Sequence, residues 1–320
     1  MSASTTVVTG AEGFVGAWLR KELPAHGREI VATRRRGPLP PTADRGEENL
    51  RWVIIDLSEA DQVDELIRTT RPGQLVHLAA VALSRAVNAD PLHALRVNFS
   101  ATHHLLRAVA RHTPATRVLA VSTGEVYGPR PLGSPPLGET SPLRPPSLYA
   151  ATKAAAELCC LQRAEDEGLD LVVARPLNHS GPGRPPDYAE SSFARQLAHI
   201  EQGEQEPVLR VGNLEDVRDF SDVRDVVRAY LHLLERGERG GIYNVCSGRG
   251  WRLGDVLTYL VSRSPAEPRI EVDPARYRPS RPESCAIVGD PSRLHALGWL
   301  PRYRFEQTLD ALLEFWRAEP

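Results

Sequence analysis

Tyr149 and Lys153 lie four residues apart in an alanine-rich stretch, 148–156, that contains no proline or glycine. Such a stretch favours helix, and residues i and i+4 of a helix share one face, so the phenol and the ammonium group point the same way. An ordinary tyrosine has a pKa of about 10, and a cation about 4 Å away stabilises the phenolate by roughly 4 kcal/mol. We therefore expect this pair to donate or accept a proton at neutral pH.

A second motif opens the chain, where three glycines follow the apolar run Thr5–Thr9 and precede a helical pattern over 14–23. Glycine allows positive φ in a tight turn and lets the backbone approach a pyrophosphate, which then rests on N–H groups at the helix N-terminus. The order of strand, turn and helix therefore predicts a dinucleotide-binding loop. Its members are Gly10, Gly13, Phe14, Val15 and Gly16.

Two arginines bear on the choice of dinucleotide. Arg34 and Arg35 follow the predicted strand 29–33. An acidic residue there accepts hydrogen bonds from the ribose 2′-hydroxyl of NAD, whereas arginine complements a 2′-phosphate. The sequence thus favours NADP(H), with NAD(H) as the alternative if the arginines form only a solvated basic turn.

Short apolar runs alternate with helical patterns along the first half of the chain. The predicted strands are 5–9, 29–33, 51–55, 74–79, 117–122 and 169–175, and the helices between them are 59–69, 91–112 and 149–167. Such alternation indicates right-handed βαβ crossovers and an α/β fold with a Rossmann-like, doubly wound parallel sheet. Ligands of such sheets bind beyond the carboxyl ends of the strands.

The pattern loosens after residue 176, which suggests two domains. We predict a dinucleotide-binding Rossmann domain over 1–175 with a returning segment at about 219–246, because 241–246 reads as a further sheet strand. A smaller C-terminal substrate-binding lobe would then comprise 176–218 and 247–320. The proline-rich segment 128–147 is expected to be a long loop that delivers Tyr149.

Composition excludes several classes of function. The net charge of −2 over 320 residues, with acidic and basic residues interspersed, argues against a nucleic-acid partner. Apolar runs are too short to span a bilayer and no secretory signal is recognisable, so we expect a cytoplasmic protein without membrane contact. Cys159, Cys160, Cys246 and Cys285 lack metal-ligand spacing. We expect four free thiols, mostly in the core, and no metal.

Together these motifs resemble the extended short-chain dehydrogenase/reductases that modify nucleotide sugars. The resemblance is carried by TGAEGFVG at 9–16, HLAA at 77–80, VN at 97–98, VSTGEVYG at 121–128, the 149–153 pair, RPLN at 175–178 and RDF at 218–220. Within that family, ARPLNHSGPG at 174–183, YNVCSG at 243–248 and DPAR at 273–276 are most similar to bacterial GDP-6-deoxy-D-mannose reductases. Those enzymes reduce GDP-4-keto-6-deoxy-D-mannose to GDP-D-rhamnose.

The resemblance implies roles for individual residues. Thr123 should hydrogen-bond the sugar carbonyl, Tyr149 should supply the proton, and Lys153 should hold the cofactor ribose and tune the phenol. Further cofactor contacts are expected from Asp56, Leu57, Leu78, Ala79, Ala80, Asn98 and Pro176. Contacts to a nucleotide-sugar substrate, GDP-linked by preference, are expected from Ser84, Asn178, Arg218, Arg281 and Glu283.

Glu125 leaves a second reaction open. Related 4,6-dehydratases use a carboxylate at this position as the base that removes the C5 proton, often beside an acidic or hydroxylic neighbour. The neighbour here is Gly124, which can donate no proton and so weakens the case for elimination, although water could take its place. The downstream resemblance favours a reductase over a 4,6-dehydratase or 4-epimerase. A non-catalytic dinucleotide-sensing protein is a more distant alternative, since it could dispense with Thr123, Tyr149 and Lys153.

Assembly is inferred from the helices at 91–112 and 149–167, which have broad apolar faces. Relatives commonly pair through the equivalent helices, so the resemblance implies a homodimer. The alternative is that these faces only cover the sheet.

Overall fold

The computed structural model describes residues 5–23, 27–35, 37, 49–276 and 285–319. Cα packing divides the chain into two compact units. The first comprises Met1–Tyr127, Pro142–Pro176 and Val227–Tyr243, and the second comprises Gly128–Ser141, Leu177–Val226 and Asn244–Pro320.

The strands and helices of the described residues are as follows. The strands are β1 Thr5–Thr9, β2 Glu29–Arg34, β3 Leu50–Ile54, β4 Gln74–His77, β5 Arg117–Val121, β6 Leu171–Pro176, β7 Asn178–Ser180, β8 Val208–Val211, β9 Val217–Asp222, β10 Ile242–Val245, β11 Gly250–Arg252, β12 Arg269–Val272 and β13 Ala286–Ile287. The α-helices are α1 Phe14–Glu22, α2 Ala60–Thr70, α3 Ser84–Ala89, α4 Pro91–Leu95, α5 Ala101–His112, α6 Leu148–Asp166, α7 Ala189–Glu201, α8 Val223–Arg236, α9 Leu253–Ser262, α10 Ser292–Ala296 and α11 Phe305–Ala318. A π-helical turn, Arg96–Ser100, joins α4 to α5, and a 3-10 segment, Gly124–Tyr127, follows β5.

Seven of the described strands form one sheet in the order β10-β6-β5-β4-β1-β2-β3. The pairs from β1 to β6 are parallel, and Val7 of β1 lies in register with Val31 of β2 and Leu75 of β4. These three side chains have no exposed surface and pack with apolar residues of α2, α5 and α6. Burial of each such side chain contributes roughly 1.5–3 kcal/mol. The chain order reverses between β1 and β4, which is where doubly wound sheets bind ligands.

The second unit has smaller sheets and its own core. Strand β9 pairs with β7, β11 and β13, and β8 pairs with β12. Its apolar core joins α7, α9 and α11 and includes stacked rings of Phe220 and Phe305, with centroids 4.6 Å apart.

The predicted fold class is confirmed, and each predicted strand of the large sheet lies within about two residues of its observed bounds. The predicted helix 91–112 contains the π-helical turn, and the helices α3, α7, α9 and α10 were not predicted. The four cysteines are free thiols, as expected. Among the helices that the structure describes, none combines the length and hydropathy that a bilayer-spanning segment needs.

The bounds of the compact units differ from those of the predicted domains in two segments. Residues 128–141 belong with the second unit rather than the first. The reason is backbone pairing, since Arg130 bridges to Ala286 and Leu137 to Gly289. The part that returns to the first unit is 227–243, which is shorter than the predicted 219–246.

Candidate active site

The turn after β1 packs backbone against backbone. Gly10 has a φ of +67°, and a Cβ there would lie 2.7 Å from the backbone nitrogen of Ala79. A Cβ on Gly16 would lie 2.5 Å from the carbonyl oxygen of Gly10. Side chains are thus excluded at both positions. Gly13, the N-cap of α1, brings no side chain to the helix N-terminus, so a phosphate can approach the backbone N–H groups there.

A pocket of about 310 Å³ adjoins this turn at the carboxyl ends of β1 to β4. It is lined by nine residues predicted from sequence, namely Gly10, Gly13, Arg34, Arg35, Asp56, Leu57, Leu78, Ala79 and Ala80. Sequence reasoning missed six other lining residues, which are Glu12, Thr33, Ile55, Ser58, Val81 and Val97. Most of them adjoin a predicted residue in the chain, so reading strand ends as short segments would have found them. The pocket's volume is at the lower end of the range of ligand pockets, about 300–1,000 Å³. The glycine turn presents backbone at one end, which suits the phosphate-bearing part of a nucleotide.

The two predicted arginines differ in their exposure and in the hydrogen bonds that they make within the protein. The Arg34 side chain is only 4% exposed and lies 4.0 Å from the Glu12 carboxylate. Its guanidinium donates hydrogen bonds to the carbonyl oxygens of Arg35 and Gly37. Arg35 is exposed, and its Nη1 donates to Nε2 of His93 at 2.9 Å. Arg35 is therefore the better placed of the two for a ligand phosphate.

Asp56 is an ionised acceptor in the pocket wall. Its Oδ1 accepts hydrogen bonds from the hydroxyl and the backbone N–H of Ser58, at 2.6 and 2.9 Å. These two bonds lower the pKa of the Asp56 carboxyl. An acceptor at this position suits a donor group of a nucleobase or a sugar.

Asn98 does not line the pocket but hydrogen-bonds the backbone of a residue that does. Its side chain is fully buried in the π-helical turn. Its Oδ1 accepts from Val81 N–H at 2.7 Å, and its Nδ2 donates to the Val81 carbonyl at 3.1 Å and to Thr152 Oγ1 at 3.0 Å. Val81 and the neighbouring Val97 line the pocket. The structure thus shows Asn98 holding a pocket-lining residue in place.

Thr123 lies directly after β5 and is 8% exposed. Its Oγ1 accepts a hydrogen bond from the backbone N–H of Glu125 at 3.2 Å. Because one lone pair is used in this way, the hydroxyl proton can be donated to another oxygen. Glu125 itself is half-buried in the 3-10 segment, which packs against α6.

Helix α6 carries the predicted proton-transfer pair. Ser147 caps it by accepting from Ala150 N–H at 3.2 Å, so the half-buried Tyr149 falls in the first turn and Lys153 in the second. Tyr149 lies near Tyr230 of α8, whose pKa is raised by burial and by this neighbour. Sequence reasoning missed Tyr230, because only the fold brings α8 to this helix.

Lys153 is 4% exposed. Burial lowers the pKa of its ammonium group to about 8, and the nearby Cys160 and Glu157 act in the opposite direction. Only two lysines, Lys21 and Lys153, occur in the sequence, although lysine and arginine together number 39. This was a usable sequence signal, because lysine can shift its pKa when it is buried whereas arginine stays charged.

Two predicted substrate residues lie in the second unit. Asn178 of β7 is half-buried and in register with Phe220 of β9, two residues beyond Arg218. The Arg218 guanidinium pairs with the Asp216 carboxylate and donates to the Cys285 carbonyl at 3.2 Å. Both candidates are therefore on paired strands, with Arg218 held in place by protein groups.

The remaining predicted residues are placed as follows. Phe14 and Val15 form the first turn of α1, Ser84 is exposed at the start of α3, and Pro176 is buried at the end of β6. Arg281 and Glu283 lie outside the described residues. Within the described residues, no group of three or more histidine, cysteine or acidic side chains could hold a metal ion.

The chain matches a known protein family and is similar in sequence to curated proteins. Residues 6–246 match the NAD dependent epimerase/dehydratase family. The chain is 36% identical over 312 residues to a GDP-6-deoxy-D-mannose reductase from Pseudomonas aeruginosa, covering 97% of this chain and 96% of that one. It is 30% identical over 326 residues to a dTDP-glucose 4,6-dehydratase from Mycolicibacterium smegmatis, covering 98% and 93%.

A solved structure agrees with these similarities. The structure of RMD from Pseudomonas aeruginosa complexed with NADPH is 35% identical in sequence, covers 99% of both chains and superposes with a TM-score of 0.84. The protein belongs to the NAD dependent epimerase/dehydratase family, a family of extended short-chain dehydrogenase/reductase enzymes.

Proposed function

We propose that this enzyme uses NADPH to reduce the C4 keto group of a nucleotide-linked 4-keto-6-deoxyhexose, with GDP-4-keto-6-deoxy-D-mannose as substrate and GDP-D-rhamnose as product. The observation that carries the proposal is that Lys153, one helical turn after Tyr149 on α6, is buried, and that burial lowers the pKa of its ammonium group to about 8. We propose that this cation assists the phenol in giving up a proton near neutral pH.

The cofactor is supported by the first unit. Its turn admits no side chain at Gly10 or Gly16, and the adjoining pocket holds Asp56 and Arg35. These features fit a pyrophosphate at the turn and a 2′-phosphate at Arg35. The solved relative complexed with NADPH supports the same choice. NAD(H) remains the alternative cofactor.

The chemistry required of the chain is proton delivery and stabilisation of negative charge. When bound, the reduced nicotinamide supplies a hydride to the carbonyl carbon. Thr123 donates a hydrogen bond to the carbonyl oxygen as negative charge develops there, and Tyr149 donates its proton to that oxygen. Lys153 lowers the pKa of the phenol and so makes this proton available. Asn98 holds Val81 in the pocket wall.

The substrate proposal draws on the similarity to a GDP-6-deoxy-D-mannose reductase. Asn178 is proposed to contact the sugar and Arg218 the diphosphate, while Ser84, Arg281 and Glu283 remain proposed contacts. The test is a panel of GDP-, dTDP- and UDP-linked 4-keto-6-deoxy sugars, followed by NADPH absorbance and by NMR of the product. The proposal predicts rapid oxidation of NADPH only with the GDP-linked sugar, and equal rates with all three would refute the substrate assignment.

A 4,6-dehydratase is the second candidate, because Glu125 is half-buried two residues beyond Thr123 and a dehydratase is among the relatives. Its neighbour Gly124 has no group that could donate a proton, and the greater similarity to a GDP-6-deoxy-D-mannose reductase favours the reductase. Incubation with GDP-mannose and no added NADPH separates the two reactions. Formation of a 4-keto-6-deoxy product would establish the dehydratase.

A further inference from the structure

A buried ion pair lies one helical turn beyond Lys153. The carboxylate of Glu157 has no exposed surface, and Nε of Arg175 lies 3.1 Å from each of its oxygens. A second nitrogen of the Arg175 guanidinium also donates to Oε1 of Glu157. This two-pronged contact fixes the carboxylate in one orientation.

The same arginine reaches a third element of the first unit. Its Nη1 donates to the hydroxyl of Tyr127 at 2.8 Å, and its guanidinium lies 4.9 Å from the centre of that ring. Tyr127 ends the 3-10 segment that begins directly after Thr123. The cluster of Glu157, Arg175 and Tyr127 therefore links α6, β6 and the segment after β5.

Lys153 and Glu157 face the same small cavity. It has a volume of about 10 Å³, and its lining also includes His77, Ser122 and Cys160. This is about the volume that a single water centre needs, and both Lys153 and Glu157 are buried. Charges around the cavity are consequently screened far less than charges at the surface.

The other titratable groups around this cavity are uncharged at neutral pH. Burial, with Lys153 nearby, lowers the pKa of His77 to about 3, so the imidazole is neutral. Burial raises the pKa of the Cys160 thiol to about 12, so no thiolate is present. Of the three groups on the cavity wall that could affect Lys153, Glu157 is the one that carries a negative charge.

We infer that Glu157 is a positioning residue, which Arg175 and Tyr127 fix in place and whose carboxylate keeps Lys153 protonated beside Tyr149. The consequence for proton delivery rests on the proposed function, whereas the effect on the charge of Lys153 does not. A role in stability alone would not require these charges, because a buried ion pair seldom stabilises more than an apolar pair of similar size.

The chain offers a direct measurement, because it contains only two lysines. Protein labelled with [13Cε]lysine should give two NMR signals, and Lys21, which is exposed, serves as an internal reference. In Glu157→Gln the pKa of Lys153 should fall by about one pH unit, because the nearby carboxylate favours the charged form of the ammonium group. The control Glu165→Gln removes an exposed carboxylate from the same helix and should move neither signal.

Two further variants separate charge from structure. Glu157→Gln leaves the Arg175 charge unpaired and can fail to fold, whereas Glu157→Gln/Arg175→Gln leaves no buried unpaired charge and should still lower the pKa of Lys153. Arg175→Gln keeps the carboxylate and should leave the pKa of Lys153 unchanged or higher. If the pKa of Lys153 in both Glu157 variants equals that of the parent protein, the inference is wrong.

Kinetics then test the link to proton delivery. The rate of NADPH oxidation by the parent enzyme should decline as the pH rises through the pKa of Lys153. This decline should move to lower pH in the Glu157 variants by the same interval as the NMR titration. If the pKa of Lys153 shifts in the Glu157 variants but the parent enzyme is inactive on the sugar panel, the proposed function is refuted and the role of Glu157 stands. If the parent enzyme is active but the pKa of Lys153 does not shift, the role of Glu157 is refuted and the proposed function stands.

Discussion

Nδ2 of Asn98 donates a hydrogen bond to Oγ1 of Thr152 at 3.0 Å, and Thr152 in turn donates to the backbone carbonyl of Tyr149 at 2.8 Å. Since the same carboxamide also binds both backbone groups of Val81, one buried side chain connects the pocket wall to the turn that carries the phenol. The pocket beside the glycine turn and Tyr149, the proposed proton donor, are therefore tied to each other through Asn98.

Asn98→Ala should weaken both features. It leaves the N–H and C=O of Val81 without their partner, which costs roughly 2 kcal/mol or more of the free energy of unfolding. We also expect weaker NADPH binding, because Val81 lines the pocket. Urea unfolding and fluorescence titration with NADPH measure the two effects. Asn88→Ala, at an exposed position of α3, is the control, and equal behaviour of both variants would contradict the prediction.

Tyr149→Phe should retain NADPH binding and lose turnover. A general acid contributes about 10²- to 10⁴-fold to a rate, so kcat/KM for the keto sugar should fall by at least about 100-fold. Tyr303→Phe provides a matched control, since that ring stacks on Arg224 and phenylalanine preserves the contact. Normal reduction by Tyr149→Phe would show that another group donates the proton, whereas no reduction by the parent enzyme would favour a non-catalytic dinucleotide-binding role.

Arg35→Ala should change the preference between the two dinucleotides. Loss of a charge-assisted hydrogen bond to a 2′-phosphate costs about 1.5–3 kcal/mol, so the KM for NADPH should rise roughly 10- to 100-fold while that for NADH changes little. Steady-state kinetics with both cofactors give the ratio. Arg68→Ala, on the exposed face of α2, should alter neither value. If the KM values for NADPH and NADH rise by the same factor, Arg35 does not determine the preference for NADPH.

Lys153→Met should raise stability while it abolishes reduction. The folded protein lowers the pKa of Lys153 to about 8 from an ordinary value of 10.5, so the unfolded chain binds this proton more tightly. The lysine therefore costs stability at neutral pH, by an amount on the order of a few kcal/mol, and the cost shrinks as the pH rises from about 8 towards 10.5. Unfolding of both proteins at pH 7 and pH 10 measures this. If Lys153→Met has a lower free energy of unfolding than the parent protein at pH 7, the prediction that Lys153 costs stability is wrong.

The proposed homodimer places its contact on exposed leucines of two helices. Leu95 of α4 and Leu158 of α6 are 43% and 58% exposed, and both lie on the helices through which the resemblance predicts pairing. Leu158→Glu should convert a dimer to a monomer in size-exclusion chromatography with light scattering. Leu132→Glu, at a position that is 51% exposed in another segment, should leave the mass unchanged. A monomeric parent protein would end the proposal.

Local patterns predicted the first unit well, for physical reasons. The glycine turn and the Tyr149/Lys153 pair depend on steric limits and helix periodicity that act over a few residues. The roles of Asn98 and Glu157 could not be predicted in this way, because their partners lie 17 or more residues away in the chain. The sequence likewise could not show whether Arg34 or Arg35 is better placed to bind a phosphate. Only the fold shows that the Arg34 guanidinium donates hydrogen bonds to backbone carbonyl oxygens.

The second unit was predicted least well. Its short strands are defined by distant partners, as when β13 pairs with β9 about 70 residues earlier, so a single strand carries little pattern of its own. The segment 128–141 illustrates the same limit. Its prolines suggested a loop, but two bridges to residues near 286–289 decide the unit to which it belongs.

The wide helical turn at 96–100 constrains how the chain can change in length. A π-helical turn accommodates one residue more than an α-helical turn. Removal of a single residue between Arg96 and Ser100 would let the turn close into a regular α-helical turn and would leave the helices on either side in nearly the same relation. Within the turn, each residue that changes position by one place turns by about 100° about the helix axis. Asn98 could then lose its hydrogen bonds to Val81 and Thr152. A deletion at this turn should therefore disturb the pocket wall while the flanking helices stay in register.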